Sequence, residues 1–286
     1  MIRVPTKKVI AAMIVFLLPL AVYLLTICPT VYTGDSGELA VAANCLGIAH
    51  PPGYPLYSLL GRFFIFAVPA GDIAFRLNVM SAFFGALASL LLFFAFLELA
   101  KSRAGKMPPG AGTSRGEMAP EAADPAVPAT ETGGGVIWAA AIASIAFALS
   151  RVIWAESLVA EVFTLNAFFA AVIVLFALKF YNTGARKNLL ALVFVYGIGL
   201  GNHQSMILLA PAILLMVLYM RKEISVKLIA ACAIVFALGL SIYLYIPVRA
   251  TQRPLLNWGN PSTWSDYLNI ILRKQYGTTQ LAPVSQ

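Results

Sequence analysis

Apolar residues run almost unbroken over several stretches of the chain, at about 9–27, 75–99, 136–181, 188–220 and 227–248. Each is measured against the roughly 20 residues that one helical crossing of a bilayer requires. Two runs are too long for a single crossing. As one helix, the 46 residues from Val136 to Tyr181 would reach about 69 Å, more than twice a hydrocarbon core of about 30 Å. That run contains no Gly or Pro, so the polar cluster Ser150, Arg151, Glu156 and Ser157 is where the chain has to reverse. In 188–220, Gly197, Gly199, Gly201 and Asn202 supply the break. The pattern therefore predicts an all-α polytopic membrane protein with about seven transmembrane helices. Residues 55–69 are also apolar, but they carry Arg62 and are bounded by Pro55 and Pro69. They reach only about 22 Å as a helix, so an interfacial or re-entrant helix in the first outer loop fits better than a span.

Composition agrees with that pattern and excludes a soluble enzyme. Of 286 residues, 60% are apolar and 11% charged, against about 25% charged in ordinary soluble domains; mean hydropathy is +0.84. The net charge of +8 reads as topology rather than as affinity for nucleic acid, which is not expected as a partner. With the amino terminus in the cytoplasm, thirteen of the 20 Lys and Arg residues fall on cytoplasmic segments and seven outside. A six-span arrangement with 188–220 as one tilted helix would put Arg186 and Lys187 on the opposite side from Arg221 and Lys222, which the rule disfavours. The first run follows Arg3, Lys7 and Lys8 like a signal peptide, yet Cys28-Pro29-Thr30 is a poor cleavage site, so an uncleaved span is expected. The three cysteines have no metal-site spacing, and free thiols are expected.

Four regions follow. Residues 1–100 hold the first spans and the outer loop 28–75. Residues 101–134, with five Pro, six Gly and no Leu, Ile or aromatic residue, cannot bury a core and are expected to be a disordered cytoplasmic linker. Residues 135–250 hold the remaining spans, and 251–286 form a short outer segment.

This topology gathers the unusual polar residues on one side: Asp35, Glu38, His50 and Tyr54 in the first outer loop, Arg151, Glu156 and Glu161 at the second, Asn202 and His203 at the third, and Arg249 at the end of the last span. Charged groups near the membrane are costly and call for a partner or a task. Thr33-Gly34-Asp35-Ser36-Gly37-Glu38 reads either as a capping box, with Glu38 returning a bond to the Asp35 backbone, or as a carboxylate held at the lipid boundary. His50-Pro51-Pro52-Gly53-Tyr54-Pro55 presents a histidine on a stiff turn. Arg151 and Glu161 are equally an ion pair between helices or substrate contacts. Gly201-Asn202-His203-Gln204 is a hairpin tip, solvated or part of the same site. Phosphate-binding glycine loops, His-x-x-x-His, Cys-x-x-Cys and Asp-x-Asp are absent from the sequence, so neither a metal nor a cofactor is expected.

The strings Asp35-Ser36-Gly37-Glu38-Leu39, Leu46 through Tyr57, Arg76-Leu77-Asn78, Trp154-Ala155-Glu156, Glu161 through Asn166, Gly201-Asn202-His203-Gln204 and Asn257-Trp258-Gly259-Asn260-Pro261 occur in this order. In that order they resemble a bacterial membrane family long catalogued as a domain of unknown function, which is related to an animal protein O-mannosyltransferase and similar to the GT-C glycosyltransferases. The resemblance implies a polyprenyl-phosphate-linked sugar as donor and a protein or glycan hydroxyl as acceptor. It also implies a bacterial cytoplasmic membrane with the site on its outer face, and an acidic residue of the first outer loop at that site. That position falls on Asp35, with Glu38 beside it. Asp35 would then be general base in an inverting transfer, Arg249 and Arg151 would meet the phosphate, and His50, Glu161 and His203 would position sugar or acceptor. Relatives continue into further spans and an outer soluble region, so residues 251–286 read as the start of a larger outer part. From another class, a transporter or flippase for a lipid-linked or small polar solute would also show Glu161, His203 and a broken helix.

Overall fold

A computed structural model describes residues 6–104 and 133–277. The described residues form helices α1 (Thr6–Thr26), α2 (Ser36–Cys45), α3 (Pro55–Ala67), α4 (Ile73–Ala104), α5 (Gly134–Ala148), α6 (Arg151–Ser157), α7 (Phe163–Thr183), α8 (Arg186–Leu200), α9 (Ala210–Tyr219), α10 (Val226–Leu240), α11 (Tyr245–Thr251) and α12 (Trp264–Ile271). Among them the one extended pairing is a single parallel bridge between Ile48 and Asn257. The all-α expectation holds. The linker expected over 101–134 lies almost wholly outside the described residues; at its start α4 continues to Ala104.

The count of seven spans does not hold. Among the described residues, four helical stretches are long and apolar enough to cross a membrane: Thr6–Thr26, Ile73–Lys101, Phe163–Thr183 and Val226–Thr251. The pair Gly134–Ala148 and Arg151–Ser157, bent by 63°, makes a fifth if taken as one broken span. The missing pair comes from 188–220, where the glycine break falls as expected but leaves arms that are too short. α8 has 15 residues, about 22 Å of helix against a core of about 30 Å. Gln204–Tyr219 is likewise a short apolar helix, and its first six residues are wound as a 3₁₀ turn. Hydropathy saw the apolar residues but not how many of them the turn would consume. The other predicted break is present: the chain bends at Ser150, whose hydroxyl donates to Phe147 O at 2.7 Å.

α4 is the central element, with 56% of its apolar window buried against 22% for α1. Phe93 and Leu97 of α4 pack with Ala11 and Val15 of α1 and Ile137 and Ala141 of α5, and Leu77, Met80 and Phe84 pack with Leu165, Phe169 and Ile173 of α7. The apolar residues that remain exposed, such as Leu17 and Leu25 on α1, Leu215 on α9 and Ile234 on α10, are what a helix bundle offers to lipid. α8 and α10 touch backbone to backbone: a Cβ on Gly239 would stand 2.6 Å from Phe194 O, and one on Gly197 2.8 Å from Phe236 O.

Polar ties align the helix ends that carry the site. The Tyr23 hydroxyl donates to Ala148 O at 2.7 Å, and Cys28 N–H donates to Leu158 O at 3.1 Å. Buried Asn78 of α4 donates to Cys28 O at 2.7 Å and to Thr30 O at 3.1 Å. α3 starts on Pro55, which suits a first turn whose N–H needs no partner. At its other end the Arg76 guanidinium donates to Ile65 O at 2.7 Å. This helix is the short apolar element expected over 55–69.

Candidate active site

Four separate loops meet at this end of the bundle. Asp35 occupies the N-cap position of α2, yet its side chain caps nothing. The capping-box reading fails in both directions, because the Asp35 N–H donates instead to Glu161 Oε1 at 3.2 Å and the Glu38 carboxylate turns to His50. Glu38 Oε1 accepts the His50 backbone N–H at 2.7 Å, and Oε2 lies 3.0 Å from the ring Nδ1. One carboxylate thus fixes both the backbone and the ring of a residue twelve positions along. Nε2 of the same ring is 3.6 Å from Asp35 Oδ2 and 3.2 Å from the Tyr54 hydroxyl. The Asp35 side chain is 54% exposed, against 24% for Glu38 and 14% for His50, so Asp35 is the member of the triad open to an incoming molecule.

The other two loops close the sides. The Tyr54 ring stacks on His203 with centroids 6.3 Å apart. His203 Nδ1 accepts the Ser205 N–H at 3.2 Å and lies 2.8 Å from the Ser205 hydroxyl, which assigns the ring proton to Nε2. Asn166 of α7 donates to that hydroxyl at 3.0 Å. Asn202, fully buried, donates to Val162 O at 3.0 Å and so locks the end of α8 to the segment carrying Glu161.

Burial and charge set the protonation states. Burial pushes the Glu38 carboxyl up, but its hydrogen bonds from His50 and the charge of that ring outweigh it and hold the group below its usual range. His50 moves the opposite way: burial lowers it, and Glu38 and Asp35 raise it further than burial and Arg273 depress it. The charged form of the ring is therefore favoured, between two carboxylates. His203 is depressed by burial, then by the positive charges of Arg273 and His50, and stays neutral. Burial, followed by the Asp35 charge, pushes Glu161 up to about 7.

The ligand-capable atoms of Asp35, Glu38 and His50 all lie within 4.8 Å of one another. A divalent cation placed there would have to displace the proton on His50, because a metal ligand must be neutral imidazole.

The structure thus brings together Asp35, Glu38, His50, Tyr54, Glu161, Asn202 and His203. It does not bring Arg151 to them: that residue starts α6, is exposed, and makes no ion pair with Glu161. Arg249 is turned to the end of α2, donating from Nε to Leu46 O at 2.6 Å and from Nη2 to Cys45 O at 3.0 Å, as a cation at a helix C-terminus does.

Sequence reasoning missed the fourth wall, made by the last described residues. Ile48 N–H donates to Leu256 O at 2.8 Å and Trp258 N–H to Ile48 O at 3.0 Å. The Trp258 ring then meets His50, with centroids 6.1 Å apart. Arg273, whose charge acts on His50, Tyr54 and His203, had no signal in the sequence; Trp258 had one, as part of the Asn-Trp-Gly-Asn-Pro string.

These features define an all-α membrane protein whose helix ends enclose a carboxylate–imidazole cluster. The family model described as the N-terminal domain of protein O-mannosyl-transferase TMEM260 matches residues 35–227, and the chain belongs to that family. The protein O-mannosyl-transferase TMEM260 of Mus musculus is 32% identical over 270 residues, covering 92% of this chain and 34% of the relative. The protein of the same name in Dictyostelium discoideum is 26% identical over 299 residues, covering 98% of this chain and 32% of the relative. The chain thus spans about a third of the length of these relatives. No solved structure matches it.

Proposed function

We propose that the chain carries the site of a membrane glycosyltransferase that moves a sugar, mannose in the first instance, from a polyprenyl-phosphate donor to a hydroxyl acceptor at the outer face of the membrane. The names of its relatives support the transferase class. The observation that carries the chemistry is the half-exposed Asp35 carboxylate, 3.6 Å from an imidazole that Glu38 holds from its far side. A general base must be reachable by the proton it takes and fixed in direction. In the transfer, the acceptor oxygen bonds to the anomeric carbon while the bond from that carbon to the phosphate oxygen breaks. The electron pair leaves with the phosphate, and the acceptor proton goes to Asp35. Attack opposite the leaving group inverts the anomeric centre. Glu38 and His50 orient the base, and Tyr54 and His203 offer ring faces and polar edges to a sugar.

The test uses purified protein, polyprenyl-phosphate mannose and a Ser/Thr-rich peptide. Asp35→Asn is expected to lower transfer at least about a hundredfold, the lower end of what a positioned base contributes. Undiminished transfer would remove Asp35 from the role. Flipping or uptake of the lipid-linked sugar without any transfer would favour a transporter instead.

A further inference from the structure

We infer that Arg273 is the anion-binding group of this site and takes a phosphate ester linked to a lipid chain. The inference rests on the glycosyl-transfer reading for its biological ligand, but its geometry is independent of that reading. Arg273 follows α12, in a left-handed backbone conformation with φ 52°. The residues on either side of it are tied to the two flanks of the carboxylate–imidazole cluster. Two positions before it, Ile271 O accepts from Gln204, the neighbour of His203. Two positions after it, Gln275 Oε1 accepts the Trp258 indole N–H at 3.0 Å, and Trp258 lies against His50. Between those ties Arg273 is close enough for its charge to act on both histidines.

The Asp35, Glu38 and Glu161 carboxylates share the site with the guanidinium, but none of them pairs with it. Among the described residues it forms no ion pair, and its Nε is buried without a hydrogen-bond partner. The Tyr276 ring lies 5.4 Å from the Arg273 Cζ. A buried, unpaired donor of this kind is costly to leave unsatisfied, and the fork geometry of arginine matches two oxygens of a phosphate. By contrast Arg249 has its fork filled by backbone carbonyls. The ring nitrogens of the two histidines and the Tyr54 hydroxyl line the gap between the rings together with the Asp35 carboxylate, 3.6 Å from His50 Nε2, so a phosphate would be held on the Arg273 side of that carboxylate. Apolar helix surface is exposed on α11, as at Val248, and an isoprenoid tail would stay in the bilayer while its phosphate reaches Arg273.

The experiment measures radiolabelled farnesyl phosphate bound to the full chain in phosphatidylcholine nanodiscs, with farnesol and inorganic phosphate as parallel ligands. Arg273→Gln is expected to weaken farnesyl phosphate binding at least about tenfold, the size of one charge-assisted hydrogen bond, and Arg273→Lys to fall between. Lys274→Gln, which changes the adjacent charge, is expected to bind as the parent does. The chain has two histidines, so their titration is read directly by NMR. Loss of the Arg273 charge is expected to raise both, whereas a variant that only loosened α12 would not move them together. Equal binding by Arg273→Gln, or an equal loss in Lys274→Gln, overturns the assignment. Inorganic phosphate binding as tightly as farnesyl phosphate overturns the lipid-linked ligand. Arg273-dependent binding in a protein with no transfer activity upholds the anion site and defeats the transferase reading. Undiminished transfer in Arg273→Gln does the reverse.

Discussion

Glu161 sits where its protonation state matters to its neighbours, because its Oε1 receives the backbone N–H of the residue assigned as base. Burial and the Asp35 charge lift its carboxyl from 4.5 to about 7. The sign follows from linkage: a group with a raised folded-state value contributes stability that is fully present below its unfolded value and is lost as pH rises through the folded one. The window is therefore about pH 4.5 to 7. Glu161→Gln keeps an oxygen for the Asp35 N–H and cannot ionise. The unfolding temperature of the parent in detergent is expected to fall more between pH 5 and pH 8 than that of the variant. His50 titrates in both proteins, so the difference between them isolates Glu161, and parallel curves would show that its carboxyl is not buried as described. Such residue-scale properties were only partly legible beforehand. The members of the cluster stand out as polar residues in an apolar chain, but their pairing does not. Glu38 reaches His50 across the left-handed turn at Leu46, a contact that no helical spacing encodes, and the capping pattern pointed to a different partner.

Elements were legible where length and break agreed. The runs at 9–27 and 75–99 became α1 and α4, and the polar cluster around Ser150 became the bend between α5 and α6, because an apolar helix has few other places to turn. The span count was not legible, because hydropathy does not distinguish a full crossing from two short arms joined by a buried turn. The pairing of α8 with α10 was written in Gly197 and Gly239 only as a lack of side chains, and a glycine does not announce which backbone it will meet. At Gly239 that backbone is 2.6 Å from where a Cβ would be, a contact in which dispersion and weak polar forces replace the hydrophobic drive absent within lipid. Gly239→Ala is expected to cost about 1–3 kcal/mol through overpacking, read as a lower unfolding temperature. An unchanged temperature would mean that the two helices part without loss.

Across the whole molecule the site joins residues far apart in the chain. The crossing point is Gly47, where an added Cβ would stand 2.5 Å from Leu256 O, the acceptor of the Ile48 N–H. Gly47→Ala is expected to leave helical content by circular dichroism near that of the parent while weakening farnesyl phosphate binding, since it pushes residues 256–258 and the Arg273 segment behind them off the loop. Binding at the parent's level would show that this contact does not position the segment. Residues 251–286 read from sequence as a short outer segment at the start of a larger outer part, because nothing in their composition indicates that they fold back over His50.

That returning segment has a consequence for how the protein is made. Arg249 meets Leu46 across 203 positions and Tyr245 meets Gly47 across 198. On a ribosome extending the chain from the amino terminus, the acidic loop is complete long before its cover exists. Contacts of such sequence separation form late, so the helices can enter the bilayer while the carboxylates are still open to water. The cover over His50 can form only once translation has delivered Trp258.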